Sequence, residues 1–139
     1  MAKTFTAPFA QTPKTLAVAV TAALGGLTTS TVTGASLVAT AGADGAVVTK
    51  LTAMPRGTVA ATALDLFIVK AGAPTVYLPI DSELMAAYTS ATTTATPETT
   101  FGNISLDTPL RLEAGDKLYV GTEVALAAGI VFYAEWMDF

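Results

Sequence analysis

The chain contains no cysteine and no histidine. The first absence excludes disulfides and thiolate metal centres; the second removes the usual acid–base side chain and the commonest metal ligand. Charge is scarce as well. Only 13% of the residues are charged, against about 25% in ordinary soluble domains. Hydrophobic residues make up 52%, much of that share alanine. A monomer of this composition exposes uncharged apolar surface, and surface of that kind marks contact with a partner. The composition reads as that of an assembly subunit, and a homo-oligomer is expected.

The formal net charge is −4, and the seven basic residues are scattered from Lys3 to Lys117 without a run. Sequence-independent binding of nucleic acid needs clustered Lys and Arg to neutralise phosphates, so nucleic acid is not an expected partner. Neither is a membrane. The longest apolar stretch, Leu16 to Leu27, is interrupted by Thr21, Gly25 and Gly26 and falls short of the roughly 20 residues a spanning helix needs. Lys3 and Lys14 ahead of LAVAVTAAL give a faint signal-peptide pattern, but Pro8 and Pro13 sit in what would be its n-region. A first strand following an extended arm is the expectation.

At 139 residues the chain suits one domain with a core of its own. Residues 1–14 read as an arm, because Pro8 and Pro13 disfavour helix and cannot donate ladder hydrogen bonds. Phe5 and Phe9 are its candidate partner-binding residues, since aromatic burial gives the most contact per ordered residue; the partner is a neighbouring subunit or the chain's own domain. Residues 15–139 form the domain. Thr15–Ala23 suits a strand, a second runs from about Val32 to Ala39, and Asp44-Gly45 signals a hairpin. A third strand carries Val47, Val48, Leu51 and Met54 and stops at Pro55.

Val59–Lys70 and Thr75–Ile80 flank Ala71-Gly72-Ala73-Pro74 as a second hairpin. Both faces of the first of these strands are largely apolar, with Leu64, Leu66 and Ile68 on one and Asp65, Phe67 and Val69 on the other, which points to a central position or one under a contact. Asp81–Tyr88 reads as a helical turn capped by Asp81 or Ser82, and Thr89–Thr100 as a loop. Short strands are expected at Phe101–Leu106 and Pro109–Leu112. The chain then folds back through Glu113–Asp116 into Leu118–Val124, and Gly129–Trp136 closes the domain. About eight strands with turn signals every 8–12 residues is the pattern of an all-β sandwich.

Little in this chain suggests catalysis. Carboxylates could serve alone, as in glycoside hydrolysis, and Asp65, Asp81, Glu83, Asp107, Glu113, Asp116, Glu123 and Glu135 are available, but no pair stands out. Asp107 and Asp116 adjoin turn residues, where Asp ordinarily accepts from local backbone N–H groups. No enzymatic role and no cofactor are expected. Calcium needs six to eight oxygen ligands; Asp81-Ser82-Glu83 and Glu113 with Asp116 come nearest, and a cap or a turn explains both. Trp136, Tyr133, Tyr119, Tyr77 and Tyr88 could stack on a sugar, although Trp136 falls on the alternating apolar face of the last strand and suits core or interface better.

Two tracts carry a family resemblance. GAVVTKLTAMPRGTVAATALDLFIVK (Gly45–Lys70) and PLRLEAGDKLYVGTEVALAAGIVFYAEWMDF (Pro109–Phe139) resemble stretches of small virion proteins of tailed bacteriophages. Those proteins are β-sandwich or jelly-roll subunits on the capsid exterior, the decoration or cement type. The resemblance implies a jelly-roll-like fold, a place on the outer surface of the capsid, the major capsid protein as partner, and no catalytic residue. The arm lies outside the matching tracts. Similar folds occur in tails and head fibres, so recognition of a host surface glycan is the alternative; a surface-layer or pilus-like subunit is a third reading.

Overall fold

The computed structural model describes residues 12–139. Among them are nine strands and no helix: β1 (Thr12–Val20), β2 (Ser36–Thr40), β3 (Ala46–Pro55), β4 (Thr62–Val69), β5 (Leu78–Met85), β6 (Thr99–Thr100), β7 (Leu110–Leu112), β8 (Lys117–Thr122) and β9 (Ile130–Asp138). They form two antiparallel sheets. Sheet A has the order β1-β9-β3, with β6 and β7 both on the far side of β3; sheet B has the order β2-β8-β4-β5. β6 lies opposite Thr52 and Ala53, and β7 opposite Ala46 to Val48. The two segments therefore share one strand position, interrupted by the loop 101–109.

Counted that way there are eight positions, and the pairing is nested: β1 with β9, β2 with β8, β3 with β6 and β7, β4 with β5. The first half of the chain lies antiparallel against the second, and the long ribbon rolls so that successive positions alternate between sheets except at the β4–β5 hairpin. This is the jelly-roll arrangement of a β-sandwich. It follows from strands with one apolar face each. β9 shows the cause most clearly, because Ile130, Phe132, Ala134 and Trp136 are buried while Val131, Tyr133, Glu135 and Met137 between them are half-exposed. Their inward side chains meet Leu64, Leu66, Leu118 and Val120 of sheet B in one core with Leu51, Met85 and Phe101.

β4 is buried on both faces, as its sequence suggests, because it lies between β8 and β5 and because the outside of sheet B is also covered. The covering comes from the chain itself. Residues 21–35 cross that face, held by Leu24 N–H donating to Thr122 O at 2.8 Å and Tyr77 N–H donating to Ser30 O at 2.8 Å. Leu24 and Val32 pack there on Phe67, with Tyr77 and Tyr119 alongside. Gly121 makes the approach possible, since a Cβ at this position would stand 2.3 Å from a Leu24 methyl.

Several local expectations give way to this long-range pairing. β1 starts at Thr12 and ends at Val20, so residues 12–14 belong to a strand; Pro13 is tolerated because β1 is an edge. Phe5 and Phe9 lie outside the described residues. Asp44-Gly45 does make a turn, with Gly45 at φ 92°, but β2 and β3 belong to different sheets, so it arches over the core instead of closing a hairpin. Glu113–Asp116 does the same between β7 and β8. Turn residues reverse a chain without choosing between pairing and stacking.

Asp81–Tyr88 is no helical turn: β5 continues through Met85, with Asp81 opposite Leu66 and Ser82 opposite Asp65. Ladder bonds to β4 outweigh a local capping signal. Phe101–Leu106 is loop where a strand was expected, and it drops Phe101 and Ile104 into the core. Gly121→Ala should lower the free energy of unfolding by about 1–3 kcal/mol, measured by urea denaturation. An unchanged midpoint would show that Leu24 yields without cost.

Candidate functional surfaces

One group of charged side chains gathers where the chain reverses between β7 and β8. The Asp116 carboxylate is buried. It accepts from the Lys70 ammonium, from Glu113 N–H at 3.0 Å and from Ala71 N–H at 3.2 Å, and Lys70 also reaches Glu113 at 3.2 Å. Burial pushes the Asp116 carboxyl up, but the hydrogen bonds from Lys70, Ala71 and Glu113 together outweigh it and hold the group below its ordinary value. The hydrogen bond to Asp116 in turn raises Lys70. Asp138 plays a similar part at another corner, bonded to Lys14 at 2.8 Å and to Gly42 N–H at 3.0 Å. Both groups consume the lone pairs that a ligand would need.

Of the other carboxylates, Asp65 and Glu123 come together on the outside of sheet B, where Ser82 Oγ donates to Asp65 at 2.8 Å. A hydrogen bond with the Asp65 carboxyl, then its negative charge, then burial, push Glu123 above its ordinary value. Asp81 and Glu83 tie β5 to the loop 101–109, through Asn103 Nδ2 at 3.1 Å and Gly102 N–H at 3.4 Å. Asp107 is exposed in that loop. Among the described residues no three acidic side chains converge as a metal site would require.

The aromatic side chains separate by face. Trp136 is buried in the core, and Tyr77 and Tyr119 pack edge-to-face, 5.0 Å between ring centres, outside sheet B. Tyr133 alone among the tyrosines faces outward from sheet A, with the Lys50 ammonium 5.7 Å from its ring centre. It lines a shallow depression of about 380 Å³ with Lys50, Met54, Arg56, Glu98 and Val131. β9 and β3 position it, Thr52 standing opposite Tyr133 and Met54 opposite Val131. The outward alternation of β9 was readable from sequence, but its cross-strand neighbours on β3 were not.

A second surface escaped sequence reasoning altogether. Leu84 and Leu106 are the most exposed large apolar side chains, at 74% and 77%, and Leu78 and Ile80 are also exposed. Three of these lie on β5, an outer strand of sheet B, and Leu106 lies on the loop that Asp81 and Glu83 hold against it. Leu78–Ile80 was expected as the end of a strand, but reading Asp81 onward as a helical turn hid the continuation of this edge strand to Met85. No family model, curated protein or solved structure matches this chain.

The two shifted carboxyls predict opposite pH behaviour. Asp116 contributes stability above its unfolded value, lost as pH falls through its lowered folded value; Asp116→Ala, which orphans two backbone N–H groups, should cost about 1–3 kcal/mol per group at neutral pH, with the gap narrowing in acid. Glu123 works the other way: its contribution is present below its ordinary 4.5 and lost as pH rises through the raised value. Glu123→Gln should therefore stabilise at neutral pH by about 0.5 kcal/mol or less, being exposed and screened, and lose that advantage in acid. Denaturation curves across pH 3–8 read both.

Proposed function

We propose that this protein is a structural subunit of a phage virion that docks on the outside of the capsid shell, against the major capsid protein, and stabilises it as a decoration or cement protein does. The observation that carries the reading is the apolar margin of Leu78, Ile80, Leu84 and Leu106. Exposed leucines gathered on one border of a rigid sandwich would lose water on contact, and each fully buried leucine is worth about 1.5–3 kcal/mol. The resemblance of the Gly45–Lys70 and Pro109–Phe139 tracts to virion proteins supports the same partner.

A second reading has its own observation. Tyr133, flanked by Lys50 and Glu98 over a shallow depression, has the aromatic-plus-polar make-up that a host glycan requires, as on a tail or head fibre. Tyr133, not Trp136, is the residue to alter, because removing a buried tryptophan would cost about 3–5 kcal/mol of stability and report unfolding.

Location comes first: crosslinking or electron microscopy of intact virions should place the chain on the capsid exterior. Leu84→Asp with Leu106→Asp should then lower its occupancy on capsids by about tenfold or more, a loss equivalent to about 1.4 kcal/mol, without altering the circular dichroism. Undiminished occupancy would remove the β5 margin from the contact. Sugar-specific binding on a glycan array, abolished by Tyr133→Ala, would favour the second reading.

A further inference from the structure

The two long outer strands are built differently. β5 carries the devices that keep a foreign strand from adding to an edge: Pro79 lacks a donor, the ladder to β4 slips between Leu66 and Phe67, and Asp81 and Glu83 bring charge. β1 carries Pro13 and Lys14 at its start and nothing of the kind beyond them. From Thr15 to Val20 it is uncharged, free of proline and glycine, and paired residue for residue with β9 without a shift. Lys14 is itself engaged by Asp138. Among the described residues β9 is the sole strand paired with β1, so the row of N–H and C=O groups along its other side has no strand partner.

The side chains of β1 point the same way. Leu16 and Val18 stand opposite Ala134 and Phe132 of β9, which places them on the core side of sheet A. Yet Leu16 is 36% exposed and Val18 only half-buried. β2, facing them from sheet B, has five residues against the nine of β1 and is too short to cover them. Among the described residues nothing closes the core layer at this border.

We infer that β1 pairs with β1 of a second copy of this chain, antiparallel about a two-fold axis centred on Ala17, so that the two A sheets become one. A two-fold contact between like edges has to be antiparallel. In this register Thr15 meets Ala19 of the second copy and Leu16 meets its Val18, closing the open border with apolar contact. The small side chains of Thr15, Ala17 and Ala19 leave the outer face unobstructed. No like charges oppose one another, since Lys14 falls opposite Val20. The contact uses a different border from the β5 margin, so it stands or falls independently of docking on a shell.

The absence of cysteine makes the test clean. Light scattering of the full chain across micromolar to several hundred micromolar concentrations should show a dimer. Ala17→Cys places its two thiols on Cα atoms about 4.5–5.5 Å apart, within disulfide reach, and should give a covalent dimer on mild oxidation; Leu84→Cys, on the other long border, should crosslink at least about tenfold more slowly, a margin of about 1.4 kcal/mol. Ala17→Lys opposes two ammonium groups and should leave a folded monomer by circular dichroism. A wild-type chain that is monomeric throughout, as when residues 1–11 or some other strand fill the edge, overturns the inference. So does a dimer that Ala17→Lys leaves intact, or one that Leu84→Cys locks as fast as Ala17→Cys.

Discussion

Both sheets must bury one apolar face in a single shared layer, and nearly every other feature of the molecule follows from that requirement. Phe132 and Ile130 of β9, Leu51 of β3, Leu64 and Leu66 of β4, and Leu118 and Val120 of β8 all point into it. Each such side chain contributes about 1.5–3 kcal/mol on burial, far more than any one turn or cap. The strands that supply them are distant in sequence. With nested pairing, the core exists only once the first half of the chain has found the second, so this topology is rich in non-local contacts and belongs with the slow-folding all-β domains.

The shared layer also explains how polar groups are used. Six of the connections between successive strands arch from one sheet to the other, and arches bring backbone donors to the ends of the core where water is scarce. Asp116 and Asp138 sit at those ends and accept from Glu113, Ala71 and Gly42 N–H groups, each bound also to a lysine. In a chain with seven basic residues, two of them serve to neutralise these buried carboxylates. Acidic residues that resembled fragments of a site in sequence are fasteners in space.

Outside the core the molecule is asymmetric, and its asymmetry is where function lies. Sheet B is roofed by residues 21–35 with the Phe67, Tyr77 and Tyr119 rings beneath, whereas Tyr133, Met54 and Val131 on sheet A look outward. At the borders, β5 is guarded against strand addition yet studded with exposed leucine, and β1 is guarded only at its start, by Pro13 and Lys14, and shows little side chain. A leucine-studded border suits contact through side chains; a bare one suits contact through backbone. One sandwich thereby carries two unlike borders.

The last strand was legible from its alternation, and the central β4 and the third strand from β-prone apolar runs bounded by turn residues. The same patterns determined the all-β class, and the lack of histidine and cysteine excluded disulfides and thiolate or imidazole ligands. Period-two alternation says which side of a strand is wet, but every backbone offers the same N–H and C=O groups, so it cannot say which strands pair. Only the tertiary structure decided that Asp44-Gly45 and Glu113–Asp116 are arches, that the strand begun at Leu78 runs on through Asp81 to Met85 as a sheet edge, and that residues 21–35 cover sheet B. Those choices rest on contacts between segments tens of residues apart, where the burial of a common layer outweighs what any short stretch prefers on its own.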